Sequence, residues 1–147
     1  MIIMKIILDT NFLIYCSKKK IDYVNDLSNL INDNYEIVIP KQVINELIRI
    51  TQYKKKKIPL LKRKPRFKKT TGRDKDAALL TLQIIDKKLK ENELKEIFSK
   101  GENVDEVILK LANENPSNIV CTLDKEMRKR LRRVILLNKN GRLILTG

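Results

Sequence analysis

The chain contains no histidine. That absence removes a whole set of mechanisms: no Ser-His or Cys-His nucleophile pair, and no imidazole acid/base hydrolysis of RNA. If the protein is an enzyme, carboxylates or metal ions must do the work. Cysteine is nearly absent too. Cys16 and Cys121 are the only two, both lie in apolar surroundings, and no C-x-x-C spacing exists. Nothing therefore suggests a disulfide framework or a zinc site, and both thiols read as small core hydrophobes. There is no tryptophan, and glycine and proline number four each. No apolar run is long enough to span a membrane. The N-terminal run is short and carries Asp9, and no small-residue cleavage site follows it, so a soluble, cytoplasmic protein without a membrane partner is expected.

What is present in excess is positive charge. Lys and Arg total 32 against 18 Asp and Glu, a formal net charge of +14. Such self-repulsion costs stability and is normally tolerated when the partner is a polyanion. Nucleic acid is the leading candidate and an anionic membrane surface the weaker one. The abundance of Lys and Ile fits either a heat-adapted proteome or an A+T-rich genome. At 147 residues the chain is read as a single domain, 1–147, able to bury about two thirds of its unfolded surface.

The stretch Ile6-Ile7-Leu8-Asp9-Thr10-Asn11-Phe12 organises the rest. Its β-branched run reads as a buried strand that ends on a carboxylate. In open α/β sheets the carboxyl ends of strands form the ligand crevice, so Asp9 is expected to face it. A short helix opens at Phe12, a second runs from about Asp22 to Asp33, and Tyr35–Ile39 is a second strand. Pro40 stops that strand and starts a helix to about Tyr53, with Val43, Ile44, Leu47 and Ile48 as its buried face and Glu46 at the edge of the stripe. On spacing alone Glu46 is either a solvated helix residue or a functional acid.

From Lys54 to Lys75 the composition changes: twelve Lys/Arg face the single acid Asp74, which accounts for most of the net charge. Pro59, Pro65 and Gly72 argue for an irregular insertion. Its Lys54, Lys55, Lys56, Lys57, Lys62, Arg63, Lys64, Arg66, Lys68 and Lys69 are candidate RNA contacts, and Phe67 could stack on a base. Asp76–Lys90 is a helix, and Asn92–Lys100 reads as another short one. Asn103-Val104-Asp105-Glu106 resembles a capping box, placing Asp105 in the first turn of a helix. Ile119–Thr122 is a short strand leading into Leu123-Asp124, and Asp124 can cap a helix over Lys125–Arg133. That helix would carry a second basic surface including Arg128 and Arg132. Val134–Leu137 and Leu143–Leu145 follow as strands that the Asn140-Gly141 turn could join as a hairpin.

Strands alternating with helices imply a mostly parallel sheet of about five strands with helices on both faces. Asp9 and Asp124 end two of the strands, Asp105 starts a nearby helix and Glu46 sits in another. Four carboxylates could converge on one edge of the sheet. Crowded carboxylates repel, and hard cations such as Mg²⁺ or Mn²⁺ relieve that repulsion through oxygen ligands. Such ions can activate a water and steady the leaving oxygen of a phosphodiester.

These motifs resemble the PIN domain family. The order Leu-Asp9-Thr-Asn11, Ile-Pro-x-x-Val-x-x-Glu46-Leu, Val-Asp105-Glu-x-Ile-Leu-x-Leu-Ala and Val-Cys-Thr122-Leu-Asp124-Lys-Glu is similar to the family's in both sequence and approximate spacing, over nearly the whole chain. The resemblance implies a three-layer α/β/α fold and a metal-dependent ribonuclease. It makes Asp9, Glu46, Asp105 and Asp124 the metal-binding acids, with Asn11 and Thr122 as polar neighbours and Glu106 as an auxiliary acid. The fourth motif, Thr122-Leu123-Asp124-Lys125, departs mildly from the commoner pattern. Within the family, the Asp9-Thr-Asn11-Phe start, the Asp105-Glu106 pair, the arginines after Asp124 and the long insertion look most like the ribosomal-RNA-processing branch. VapC-like toxins are the second choice, and only they imply an antitoxin partner. A non-cleaving RNA-binding or ribosome-assembly module and a DNA flap nuclease are further alternatives. The resemblance also makes a homodimer plausible.

Overall fold

The computed structural model describes residues 3–52 and 72–146. The elements are β1 (Met4–Leu8), α1 (Thr10–Lys18), α2 (Tyr23–Leu30), β2 (Tyr35–Pro40), α3 (Lys41–Thr51), α4 (Gly72–Lys90), β3 (Lys95–Ile97), α5 (Val104–Asn113), β4 (Ile119–Cys121), α6 (Lys125–Arg128), β5 (Val134–Leu137) and β6 (Leu143–Thr146). They form the expected α/β/α layers around one sheet of order β3-β2-β1-β4-β5-β6. Among these strands every pairing is parallel except the β5–β6 hairpin.

β1 owes its central place to composition. Ile6, Ile7 and Leu8 are fully buried, and Ile6 pairs with Ile37 on one side and Ile119 on the other. Burying each such side chain contributes about 1.5–3 kcal/mol. The strand order runs outward from β1 in opposite directions, through β2 on one side and β4 on the other. The crevice expected at such a reversal opens beyond the carboxyl ends of β1 and β4. Cys16 and Cys121 are buried and unbridged, as expected of core thiols.

Four local expectations need correction. Ile48, expected in the buried face of α3, is 37% exposed. The segment expected as a helix over Asn92–Lys100 contains a sixth strand instead. α4 ends at Lys90, Asn92 turns the chain with φ 59°, and Lys95–Ile97 pairs with Val38–Pro40. Pairing β3 occupies backbone groups that would otherwise leave β2 as a bare edge. Ion pairs Lys41–Glu96 at 3.3 Å and Lys95–Glu36 at 3.9 Å tie it across. The helix after Asp124 stops at Arg128 rather than Arg133, because the Arg133 carbonyl already accepts the Val120 N–H at 3.2 Å as the chain joins the sheet. α4 starts at Gly72, four residues before the expected Asp76, and its Asp74 receives Lys18 at 3.1 Å. The expected RNA contacts Lys54–Lys57, Lys62, Arg63, Lys64, Arg66, Phe67, Lys68 and Lys69 lie outside the described residues. Among the described residues no helix is long and apolar enough to cross a membrane.

Candidate active site

Asp9 is the last rung of the β1–β4 ladder. Its N–H donates to the Cys121 carbonyl at 3.0 Å, so its backbone is fixed by the sheet while its side chain leaves the sheet as the N-cap of α1. Both carboxylate oxygens are engaged. Oδ1 accepts the Thr10 N–H at 2.8 Å and Oδ2 accepts the Thr122 hydroxyl at 2.6 Å. The Thr122 oxygen in turn accepts the Asp124 N–H at 3.1 Å. Asp124 caps α6 by accepting from Glu126 and Met127 N–H groups at 2.9 and 3.3 Å. Asn11 Oδ1 accepts the Leu123 N–H at 3.2 Å and so holds the start of α1 against the β4–α6 turn.

Glu46 enters from α3. Spacing alone leaves its role open, and the structure turns it inward: the Thr10 hydroxyl donates to its Oε2 at 2.7 Å. Thr10 thus touches both Glu46, through its hydroxyl, and Asp9, through its N–H, while the Thr122 hydroxyl joins Asp9 to the Asp124 backbone. Asp105 approaches from the first turn of α5, whose N-cap Asn103 accepts the Asp105 N–H at 2.8 Å. Asp9, Glu46, Asp105 and Asp124 all line one pocket of about 630 Å³, with Thr10, Asn11, Arg49 and Glu102 among its other walls. The N-terminal ends of α1, α5 and α6 also meet there, and their dipoles partly offset the density of negative charge.

The offset is incomplete. Burial pushes Asp9 up to about 6 despite the hydrogen bonds from Thr122 and Thr10, and the charges of Asp105 and Glu46 add to the rise. Asp105 is also raised, first by burial and then by Asp124, while Arg130 pulls it the other way. Among the described residues no three acids stand close enough to grip one ion on their own. The donor set of four carboxylates around one pocket is oxygen-only, the chemistry that suits a hard divalent cation.

The sequence matches the family described as "PIN like domain" over residues 6–139. The chain belongs to that family. It is 34% identical over 127 residues to Ribonuclease VapC4 of Methanocaldococcus jannaschii, covering 86% of this chain and 82% of that one. Among solved structures it is similar to the PIN domain endonuclease Utp24, with a TM-score of 0.61 and 19% identity over 95% of this chain and 90% of that one. It is also similar to a domain of a functionally unknown protein from Methanocaldococcus jannaschii, with a TM-score of 0.54 and 18% identity over 92% and 91%. At those identities the structural likenesses speak for the fold.

Not every residue expected at this PIN site reaches it. Glu106 is exposed beside Asp105 but is not part of the pocket wall. Arg128 is half-buried, with its Nε enclosed and lacking a hydrogen-bond partner, and Arg132 is exposed; neither lines the pocket. Arg133 is drawn to the opposite end of the sheet, where Nη1 donates to the Ser117 carbonyl at 2.9 Å. Among the described residues, the cations that do flank the acids are Lys129 and Arg130, which share a second depression with Asp105 and Asp124, and Arg49. Thr10 is the main residue that sequence reasoning misses. Its only signal is its position between Asp9 and Asn11, because its link to Glu46 spans 36 residues.

Proposed function

We propose that this PIN-domain protein is a divalent-metal-dependent endoribonuclease acting on structured RNA. The observation that carries the proposal is the convergence of Asp9, Glu46, Asp105 and Asp124 on one pocket at the reversal point of the sheet. A bound Mg²⁺ or Mn²⁺ would supply an activated water and charge neutralisation at the phosphodiester. Asp9, Asp105 and Asp124 are the residues to hold it, directly or through water, and Glu46 completes the set. Thr10 keeps Glu46 turned into the pocket, and Thr122 holds Asp9 and the Asp124 backbone in register. Lys129, Arg130 and Arg49 stand where phosphates on either side of the acids could be gripped, and the basic stretch from Lys54 to Lys69 adds charge for a large RNA.

Two biological readings share this chemistry. The likeness to Ribonuclease VapC4 supports a toxin-type ribonuclease, whose partner would be an antitoxin protein. The long basic stretch favours ribosomal or another large structured RNA. The decisive test is cleavage of a structured ribosomal-RNA fragment by the full chain with Mn²⁺, with EDTA, and with Asp9→Asn protein. Discrete products that vanish in both controls establish the metal nuclease. Tight binding without products moves the assignment to a non-cleaving assembly module. Growth arrest on expression, relieved by the product of a neighbouring gene, selects the toxin reading.

A further inference from the structure

Phe98 is the most conspicuous exposed apolar side chain among the described residues. It is 81% exposed, whereas the other large exposed hydrophobics range from 37% to 43%. A single exposed aromatic needs no special account, but this one is presented by a built platform. Strand β3 ends one residue earlier at Ile97, which is paired with Pro40. The loop after Phe98 is clamped from α3, where Gln42 Nε2 donates to the carbonyls of Ser99 and Gly101 at 2.7 and 2.8 Å. Gly101 adopts φ +143°, and a Cβ there would meet Val107 Cγ2 at 2.8 Å. The loop is therefore seated tightly while the ring it carries stays in water.

The ring borders a depression of about 560 Å³ whose wall includes Lys41, Asn45, Ile48 and Arg49. That volume lies in the range of small-ligand clefts. Arg49 and Glu102 line this depression and the acidic pocket alike, so the two are neighbours with a common wall. The composition is that of a nucleotide subsite: an aromatic face for a base, an amide for a base edge and a guanidinium for a phosphate.

We infer that the depression formed by Phe98, Asn45 and Arg49 is a base-stacking subsite, which holds one unpaired nucleotide of the RNA strand that crosses the acidic pocket. This rests on the ribonuclease reading for its substrate class and extends it to a fixed point outside the reacting centre. Phe98 takes the base face, Asn45 offers its amide to the base edge, and Arg49 reaches the phosphate toward the acids. Glu102 on the shared wall disfavours a second phosphate at that position. The strand thus has one nucleotide parked on the ring while the neighbouring phosphodiester lies over the carboxylates.

The test uses the full chain in EDTA with single-stranded RNA carrying 2-aminopurine at successive positions. Expected is fluorescence quenching at one position or a narrow window, retained in Phe98→Tyr and lost in Phe98→Ala. Binding by Phe98→Ala is expected to weaken roughly five- to hundred-fold. Quenching that is the same in Phe98→Ala, or absent at all positions, overturns the inference. So does a change in sedimentation of the free protein caused by Phe98→Ala with RNA binding intact, which would assign the ring to a protein interface. Cleavage with Mn²⁺ separates the two readings: stacking without cleavage removes the nuclease and keeps the subsite, and cleavage without stacking does the reverse.

Discussion

Two polar side chains are almost equally withdrawn from water at opposite ends of the same sheet. Asn118, 4% exposed, precedes β4; Asp9, 5% exposed, follows β1. Asn118 is matched at both ends of its amide: it accepts the Lys5 N–H at 2.8 Å and donates to the Leu111 carbonyl at 2.9 Å. It ties β1 and α5 to the start of β4 and carries no charge. Asp9 also has two donors, yet its carboxylate still sits near two other acids and rises to about 6. Equal burial therefore serves different ends. A satisfied neutral amide stabilises the fold, whereas a carboxylate that its hydrogen bonds do not fully compensate keeps its proton to a higher pH. On the proposed function, the amino end of the sheet serves stability and the carboxyl end chemistry.

The largest effect expected from this contrast is a double dissociation. Asp9→Asn should cost more cleavage than the roughly 10–100-fold typical of a supporting residue, while leaving the metal-free protein as stable as the parent or more so. Asn118→Ala should do the opposite. It strands the Lys5 N–H, at a cost of about 1–3 kcal/mol, and removes one of two donors from the Leu111 carbonyl, which keeps the Glu114 N–H at 3.3 Å, but the fraction that remains folded should still cleave. Thermal melts in EDTA paired with cleavage assays check both, and a stability loss in Asp9→Asn as large as in Asn118→Ala would break the comparison.

The pH dependence follows with a definite sign. Asp9 titrates near 3.8 when unfolded and about 6 when folded, so the native state holds the proton more tightly. Its contribution is fully favourable below about 3.8, declines as pH rises, and is gone above about 6. The span is about 3 kcal/mol, since each tenfold difference in proton affinity is worth about 1.36 kcal/mol. Denaturant melts of parent and Asp9→Asn in EDTA should differ in slope within that window and run parallel above it. A parallel course throughout would mean that Asp9 is already compensated without a metal.

Smaller effects test the supports. Thr122→Val removes the 2.6 Å hydrogen bond to Asp9 and the acceptor for the Asp124 N–H; about 10–100-fold loss of cleavage or metal affinity is expected. Thr10→Val should produce a loss at the lower end of that range, since Glu46 would be freed without disturbing the ladder. Arg130→Ala should reduce the magnitude of the salt slope of RNA binding by about one, with little change in the melting temperature. An unchanged slope would remove Arg130 from the RNA grip.

How far the sequence discloses this depends on whether a residue's partner is local. The Ile-rich run before Asp9 and the caps at Asp124 and Asn103 are local, and each stands where expected. Strand β3 is not: Lys95-Glu96-Ile97 has one apolar residue, and its conformation is imposed by β2. Glu46 cannot be chosen over a solvated helix residue from spacing, because the hydroxyl that orients it is 36 residues away. The basic helix after Asp124 is overextended by sequence reasoning for the same reason, since the pull that ends it is a sheet bond to Val120. Its shortening shifts attention from Arg128 and Arg132 to Lys129 and Arg130.

The place of β1 has a consequence for biosynthesis. β1 is synthesised before every other strand of the sheet, but its β4 neighbour lies more than a hundred residues later, and the Asp9–Thr122 hydrogen bond closes a separation of 113 residues. Contacts of that range form late and slowly. A nascent chain carries Asp9 and Glu46 long before Thr122 and Asp124 exist beside them. On the proposed function, a ribonuclease made on an RNA machine is thus without its centre until nearly the whole domain has been translated.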